Sequence, residues 1–340
     1  MIPIKEIRHV LVSRLRFMGD VILTTPLLCA LSENLPEARI TYLAEAPYHT
    51  LLEHHPCVDV VWGIERKKRL DQIKLFHTLL RNRFDVAIDL FGNPRSAWLA
   101  FLSGARVRIG GDFRGRRWFY ADRLSDDGIL RNAVDFHLRY LEPLGIQRSF
   151  SKPFVVVTED EKARAGAYLE SRGYDLGKRI IAIHPGASWP AKRWLPERFA
   201  ALANRLVTEY GIQIYFIANP GDASTMDRVM GNVSFNHPKP EILKLRQLGA
   251  VLSCCDLLVS NDCGSMHLAP AVGTKIVGIF GPGEPEVWFP YRPEDGHRLV
   301  HHEIACSRCH RDFCDRMDCM KVIEVDEVYG TVMEVLGVGV

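Results

Sequence analysis

The sequence contains no apolar run approaching the roughly 18 residues needed to span a bilayer. A helix-anchored membrane protein is therefore excluded. Its first residues, Met1 to Glu6, lack the apolar stretch of a secretory leader, and the apolar His9-Val10-Leu11-Val12 is soon ended by Arg14 and Arg16. A cytoplasmic protein is expected. Net charge is also scarce, at +2 with histidine neutral, which argues against a nucleic-acid coat or a strongly basic membrane binder. No G-x-G-x-x-G follows the first strand-like run, so the dinucleotide fingerprint is missing there. Nor is there a sequence repeat.

What is present is ordinary globular material, 47% hydrophobic and 25% charged, in a chain of 340 residues. A single core rarely grows that large, so two domains are expected. Residues 1–150 hold 22 Lys and Arg against 17 Asp and Glu, which leaves 21 against 24 for the rest. A modestly basic first half suits an anionic partner, although scattered charge of this kind is also what solvated helix faces carry. The nine cysteines of a cytoplasmic chain should be reduced or metal-bound rather than paired.

Apolar runs alternate with helical stretches throughout. Strands are expected at Val10 to Ser13, Arg39 to Leu43, Val58 to Trp62, Phe84 to Asp89 and Arg106 to Ile109. Helices are expected at Val21 to Leu35, Leu70 to Arg83 and Ser96 to Leu102. The rhythm restarts with strands at Arg179 to Ile183, Ile212 to Ile217, Leu257 to Ser260 and Lys275 to Phe280. The helices of that half are Pro196 to Tyr210, Glu241 to Cys254 and about Cys263 to Val272, with 150–178 joining the halves and Asp326 to Leu336 closing the chain. Strands separated by helices mean βαβ units and parallel sheets. The expected architecture is α/β, two Rossmann-like doubly wound domains facing across a cleft. They would be 1–160 and 161–325, with 326–340 as the closing helix, and ligands at the carboxyl ends of the strands.

Four motifs could carry chemistry. Gly19-Asp20 follows the first strand. Gly19 permits a tight turn, and Asp20 either caps backbone N–H groups or takes a proton from a hydroxyl. His184-Pro185-Gly186-Ala187-Ser188-Trp189-Pro190-Ala191-Lys192-Arg193-Trp194 follows a strand. Its Gly186, Ser188, Lys192 and Arg193 could hold a diphosphate, or form a surface loop with two incidental bases. Asp262-Cys263-Gly264-Ser265-Met266-His267 opens a helix. The Gly264, Ser265 and Met266 amides could meet an anion, while Asp262 fits a sugar hydroxyl or an N-cap. His267 is a ligand contact or a packed core residue. Phe280-Gly281-Pro282-Gly283-Glu284-Pro285 makes a sharp turn at a strand end, at a cleft rim or purely structural.

Taken in this order, Gly19-Asp20, His184 to Pro196, Asp262 to Leu268 and Phe280 to Pro285 resemble glycosyltransferase family 9, the lipopolysaccharide heptosyltransferases, over about residues 8–330. The chain departs from the family pattern in three places: Leu195 between Trp194 and Pro196, Cys263 where Thr or Ser is common, and Gly283 where Thr or Ser is usual. The resemblance implies a GT-B enzyme that moves heptose from ADP-heptose to the lipopolysaccharide inner core with inversion. Asp20 would be the base and Lys192 the counter-charge to the leaving diphosphate. Asp262 would bind the donor sugar, and the Gly264 to Met266 amides its phosphate. No cofactor would be required for catalysis. The acceptor, lipid A bearing 3-deoxy-octulosonate or an already heptosylated core, is anionic. Arg66-Lys67-Lys68-Arg69 and Arg114, Arg116 and Arg117 could meet it, with peripheral contact at the inner face of the inner membrane and no nucleic-acid partner.

Cys306, Cys309, Cys314 and Cys319 lie within fifteen positions, dense enough for a structural zinc or iron–sulfur site but irregular for a zinc ribbon, so free thiols are the alternative. Cys29, Cys57, Cys254 and Cys255 sit among apolar neighbours and should be inert. Two rival functions stand beside heptosyl transfer. One is a hexosyl- or N-acetylhexosaminyltransferase on the same scaffold, motivated by the hydroxyls missing at 263 and 283. The other is a non-enzymatic binding protein organised by a metal at the cysteines.

Overall fold

The computed structural model describes residues 3–65, 69–112, 114–147 and 151–338, and the architecture below is that of these residues. The chain divides into two compact units, Met1–Val156 and Val157–Val340.

The first unit is built on a six-stranded parallel sheet: β1 (His9–Ser13), β2 (Arg39–Glu45), β3 (Val60–Ile64), β4 (Val86–Asp89), β5 (Val107–Gly111) and β6 (Asp122–Leu124). The order is β3-β2-β1-β4-β5-β6, which reverses direction between β1 and β4. In doubly wound sheets that reversal opens a crevice at the carboxyl ends of the strands. The helices are α1 (Met18–Ile22), α2 (Thr25–Asn34), α3 (Arg69–Asn82), α4 (Pro94–Leu102) and α5 (Ala133–Leu138). Val10, Leu11 and Val12 of β1 are all buried, as a strand covered on both faces requires.

The single helix expected over Val21 to Leu35 is two helices. The Thr24 and Thr25 hydroxyls donate back to the Val21 and Ile22 carbonyls at 2.7 and 2.8 Å, and Pro26 has no N–H for the helical ladder. The expected strand Val58 to Trp62 lies two residues later, at Val60–Ile64, and the Asp59 carboxylate accepts the Ile40 N–H at 2.7 Å.

The second unit has five parallel strands: β7 (Ile180–His184), β8 (Gln213–Phe216), β9 (Leu257–Asn261), β10 (Lys275–Phe280) and β11 (Arg298–His301), in the order β11-β10-β9-β7-β8. Here direction reverses between β7 and β9. Its helices are α6 (Glu159–Ser171), α7 (Pro196–Tyr210), α8 (Ala223–Met230), α9 (Leu245–Leu252), α10 (Gly264–Ala271), α11 (Pro285–Trp288), α12 (Asp318–Lys321) and α13 (Val325–Leu336). α7 runs from Pro196 to a left-handed Gly211, the start and stop chemistry a helix favours.

The joining stretch 150–178 contains a helix that the sequence reading passed over, α6. It is opened by a capping box in which Thr158 Oγ1 accepts the Glu161 N–H and Glu161 accepts the Thr158 N–H. α6 packs on α9, joined by the Arg246–Glu161 pair. α9 begins at Leu245 rather than Glu241, because Glu241 is held outside it by Tyr168 and Arg172 at 3.1 and 2.7 Å. β6, β11, α5, α8, α11 and α12 are further elements that the sequence reading did not include. Val328, Val332 and Met333 of α13 belong to the core under β7, β9 and β10, with Trp194 and Phe199 at its centre.

Candidate functional site: the strand-end loops of the two sheets

In the second unit the loops leaving β7 and β9 meet where the strand order reverses. His184 and Ser260 are register partners at the ends of these strands. Asn261, fully buried, stitches the two loops. Its carbonyl oxygen accepts the Trp194 N–H at 2.9 Å, and its amide donates to the Pro185 and Gly186 carbonyls at 2.9 and 3.4 Å. Trp194 is anchored below by its indole N–H on the Ile323 carbonyl at 2.9 Å.

This stitching brings together two residues seventy positions apart. Lys192 Nζ lies 2.5 Å from Asp262 Oδ2, and the two side chains are only 17% and 7% exposed. The same ammonium stands 4.6 Å from the Trp189 ring centroid. Gly283 lies against Asp262, and a Cβ there would fall 2.7 Å from the carboxylate. Packing thus accounts for glycine at 283. At the start of α10 the Met266 N–H is bound to the Cys263 carbonyl at 3.1 Å, so of the three amides expected to meet an anion it is already used. The N–H groups of Gly264 and Ser265 open the helix, where intrahelical acceptors are lacking. Ser265 Oγ is buried and, among the described residues, has no hydrogen-bond partner.

Beneath the turn, His184 Nδ1 lies 3.1 Å from Cys263 Sγ, and Nε2 lies 3.3 Å from Asp222 Oδ2 and 2.8 Å from the Asn219 amide. Arg193 approaches the other Asp222 oxygen at 3.5 Å. Burial opposes a charge on His184, but the Cys263 sulphur and the Asp222 carboxylate outweigh it and lift its pKa to about 10. Burial likewise opposes the Cys263 thiolate, and the His184 charge and hydrogen bond outweigh it, holding that thiol below its ordinary range.

In the first unit Asp20 is the third residue of α1, the capping position the sequence suggested, and its Oδ2 accepts the Phe17 N–H at 3.0 Å. Its other oxygen is paired with Arg14, a partner the sequence reading did not identify. Arg14 also donates to the Leu90 carbonyl at 2.6 Å and lies over Phe91. The Asp20 side chain is 14% exposed. Around it on the same sheet edge, Glu45 pairs with Arg95 at 2.7 Å and Arg16 at 4.0 Å. Asp89, fully buried, accepts from Tyr120 OH at 2.6 Å and from the Phe91 and Gly92 N–H groups. Burial raises its pKa against those bonds. An oriented carboxylate at one strand-end edge and a cation beside a helix start at another are what acid–base chemistry and a phosphorylated leaving group require.

The family model for glycosyltransferase family 9 (heptosyltransferase) matches residues 72–318.

The chain belongs to glycosyltransferase family 9.

It is accordingly an enzyme, a transferase with two Rossmann-like units of the GT-B class, from a family of lipopolysaccharide heptosyltransferases. It is 26% identical over 292 residues to lipopolysaccharide heptosyltransferase 3 of Escherichia coli, covering 82% of this chain and 84% of that one. The glycosyl transferase family 9 structure from Veillonella parvula superposes with a TM-score of 0.86 at 26% identity, covering 99% and 98% of the two chains. Escherichia coli ADP-heptose lps heptosyltransferase II superposes with a TM-score of 0.80 at 21% identity, covering 97% and 98%.

Packing sets the places of the remaining motif residues of this family 9 enzyme. Gly186 is buried, and a Cβ on it would fall 2.0 Å from Asp222, so its lack of a side chain admits Asp222. Gly281 lies against Met320 in the same way, and Pro282 is buried beside it. Gly19 is a buried helical residue of α1 without a positive φ. The tight turn assigned to it is absent because the helix already begins at Met18. His267 is packed, its Nδ1 2.9 Å from Tyr291 OH. Ser188 is exposed. Arg66, Lys67, Lys68 and the side chains of Arg69 and Arg114 lie outside the described residues.

The sequence leaves a structural zinc or iron–sulfur site and free thiols as alternatives at Cys306, Cys309, Cys314 and Cys319. None of the nine cysteines forms a disulfide, and among the described residues no three His, Cys, Asp or Glu side chains are grouped so as to hold a metal ion. Cys306 and Cys309 are exposed while Cys319 is buried. Burial, with repulsion from the other three sulphurs, pushes the Cys319 thiol up to about 11. Of the thiols expected to be inert, Cys29 and Cys255 are buried, while Cys57 and Cys254 are half-buried.

Proposed function

We propose that this family 9 glycosyltransferase moves heptose from ADP-heptose onto the lipopolysaccharide inner core with inversion at the anomeric carbon. The observation that carries the reading is the Lys192–Asp262 pair beside the start of α10, held in place by Asn261 at the reversal point of the second sheet. In this reading the α10 amides of Gly264 and Ser265 and the Lys192 ammonium take the diphosphate. Asp262 takes a hydroxyl of the donor sugar and keeps Lys192 aimed.

The acceptor hydroxyl then attacks the anomeric carbon as the bond to the diphosphate breaks. Its proton passes to Asp20, which Arg14 and the Phe17 N–H keep oriented. The leaving charge is met by Lys192 and the helix start, without a metal. ADP as the nucleotide is supported by the similarity to an ADP-heptose enzyme.

An anionic lipid acceptor is supported by a surface of the first unit. Trp118, Trp98 and Phe101 are 73%, 52% and 45% exposed, and Arg117 lies over the Trp118 ring at 5.1 Å. Aromatic rings beside cations suit the headgroup region of an anionic leaflet. Among the described residues no helix is long and apolar enough to cross a membrane, so the contact in this reading is peripheral, at the inner face of the inner membrane.

The test is transfer with a panel of ADP-, UDP- and GDP-sugars onto lipid A bearing 3-deoxy-octulosonate, with the product read by mass spectrometry and its anomeric configuration by NMR. The expected product gains one heptose, from ADP-heptose alone, with inverted configuration. Transfer from a UDP-hexose in its place would establish the rival donor.

A further inference from the structure

Position 263 is occupied by a thiol in a setting that does more than pack. The sulphur stands 3.1 Å from His184 Nδ1 and 3.2 Å from Ser260 Oγ. On the far side of the ring Asp222 and Asn219 engage Nε2, and Arg193 braces Asp222. The sulphur thus ends a Cys–His–Asp chain, the arrangement that makes a thiol a nucleophile, in which the imidazole holds the proton and the carboxylate holds the imidazole. Cys263 also precedes the first turn of α10, whose dipole favours a negative sulphur. The charged groups nearest it along the two loops are Asp262, paired with Lys192, and Arg193.

Three further facts make the position reachable and consequential. His184 and Asp222 are only 2% and 5% exposed, whereas Cys263 itself is half-buried. Two residues on, the Ser265 hydroxyl is fully buried and, among the described residues, has no hydrogen-bond partner. The pKa directions agree with the geometry, with imidazole raised and thiol lowered. The buried thiols Cys29 and Cys255 are opposite in kind, since burial pushes them up.

We propose that Cys263 is a modification site that reacts with low-molecular-weight disulfides, and that the adduct closes the turn at the start of α10 to nucleotide. The second half rests on the reading of that turn as the donor site. The thiolate attacks one sulphur of the disulfide. A bond forms between Cys263 and that sulphur, the original S–S bond breaks, and the other half departs as a thiolate that takes a proton from His184 or water. A free thiol reverses the exchange.

The experiment treats the intact protein with glutathione disulfide at about pH 6 and about pH 8, maps adducts by peptide mass spectrometry, and titrates ADP by calorimetry before and after. An unstructured cysteine peptide run beside the protein should slow on the order of 100-fold from about pH 8 to about pH 6, because its thiolate disappears. Cys263 should keep its rate within about threefold. C263S should take no adduct at α10, and in the wild type the adduct should abolish ADP binding until dithiothreitol restores it. Adducts confined to Cys306 and Cys309, or a Cys263 rate that falls as the peptide's does, would overturn the reactive thiol. A Cys263 adduct with unchanged ADP binding would overturn the closure. Failure of the untreated protein to bind ADP would overturn the donor reading and with it the closure, while the adduct map would still decide the thiol.

Discussion

In the second unit the strand-end loops are fastened from inside. Asn261 bonds both loops from a fully buried position, Trp194 is pinned to Ile323, and Gly186 and Gly283 let carboxylates press against backbone. In the first unit the corresponding edge is fastened by charge, through Arg14 to Asp20 and Arg16 and Arg95 to Glu45, with side chains still partly open to water. Buried neutral hydrogen bonds between backbone and a fixed amide are costly to exchange, whereas ion pairs of long side chains that keep some contact with water re-pair more readily. In the proposed reading the second unit is therefore a preorganised mould for the nucleotide diphosphate. The first presents adjustable charges, suited to an acceptor that must be both oriented and deprotonated.

Four changes would break or sharpen that contrast. The largest effect is expected at Asp20. D20N keeps the shape and the Phe17 contact but removes the base, so transfer should fall roughly 10²- to 10⁴-fold with ADP affinity unchanged in calorimetry. N261A should act the other way round. It leaves the Trp194 N–H and the Pro185 carbonyl unpaired in a buried place, for a loss of about 2–3 kcal/mol in denaturant unfolding together with a raised KM for the donor.

The Glu161–Arg246 pair that binds α6 to α9 gives a pH signature. The Arg246 hydrogen bond outweighs the cost of burial and holds Glu161 at about 2, well below the carboxylate range. A depressed carboxyl pKa adds stability that is fully present above the unfolded value of about 4.5 and is lost as pH falls toward 2. With solvent screening this is about 1–2 kcal/mol. Acid unfolding of E161Q should lack this component between those values, and a wild-type curve unchanged by the substitution would remove the pair as a fastener. The smallest effect is at Trp118. W118A should weaken binding to anionic vesicles by about threefold in a sedimentation assay, with transfer to a water-soluble acceptor fragment unaltered.

The architecture was legible wherever punctuation and pattern agreed. Pro196 and the Gly after Tyr210 fixed α7 to the residue, and the β-branched run from Lys275 fixed β10. α6 escaped because its solvent face is almost wholly polar and its apolar periodicity faint, although Thr158 and Glu161 spell a capping box. The break between α1 and α2 hid inside a continuous apolar run, with Thr24, Thr25 and Pro26 as its only sign. In the site, Asp20, Lys192 and Asp262 could be named from their motifs, but not their partners. Arg14 reads as ordinary strand-end charge, and Asp222 lies 38 residues from the His184 it supports. The glycines were legible as positions of close packing or sharp turning, but what packs against them was not. A glycine in a loop signals close approach, but only coordinates tell whether the approaching group is a ligand or, as at 186, 281 and 283, another part of the same chain.

The central claim is that the second unit alone holds the nucleotide diphosphate, through Lys192 and the start of α10. It is tested most directly by titrating ADP into the wild type, D20N and K192A by calorimetry. The account predicts that D20N binds as the wild type does and that K192A binds at least about tenfold more weakly. Equal ADP affinity in K192A and the wild type would contradict it.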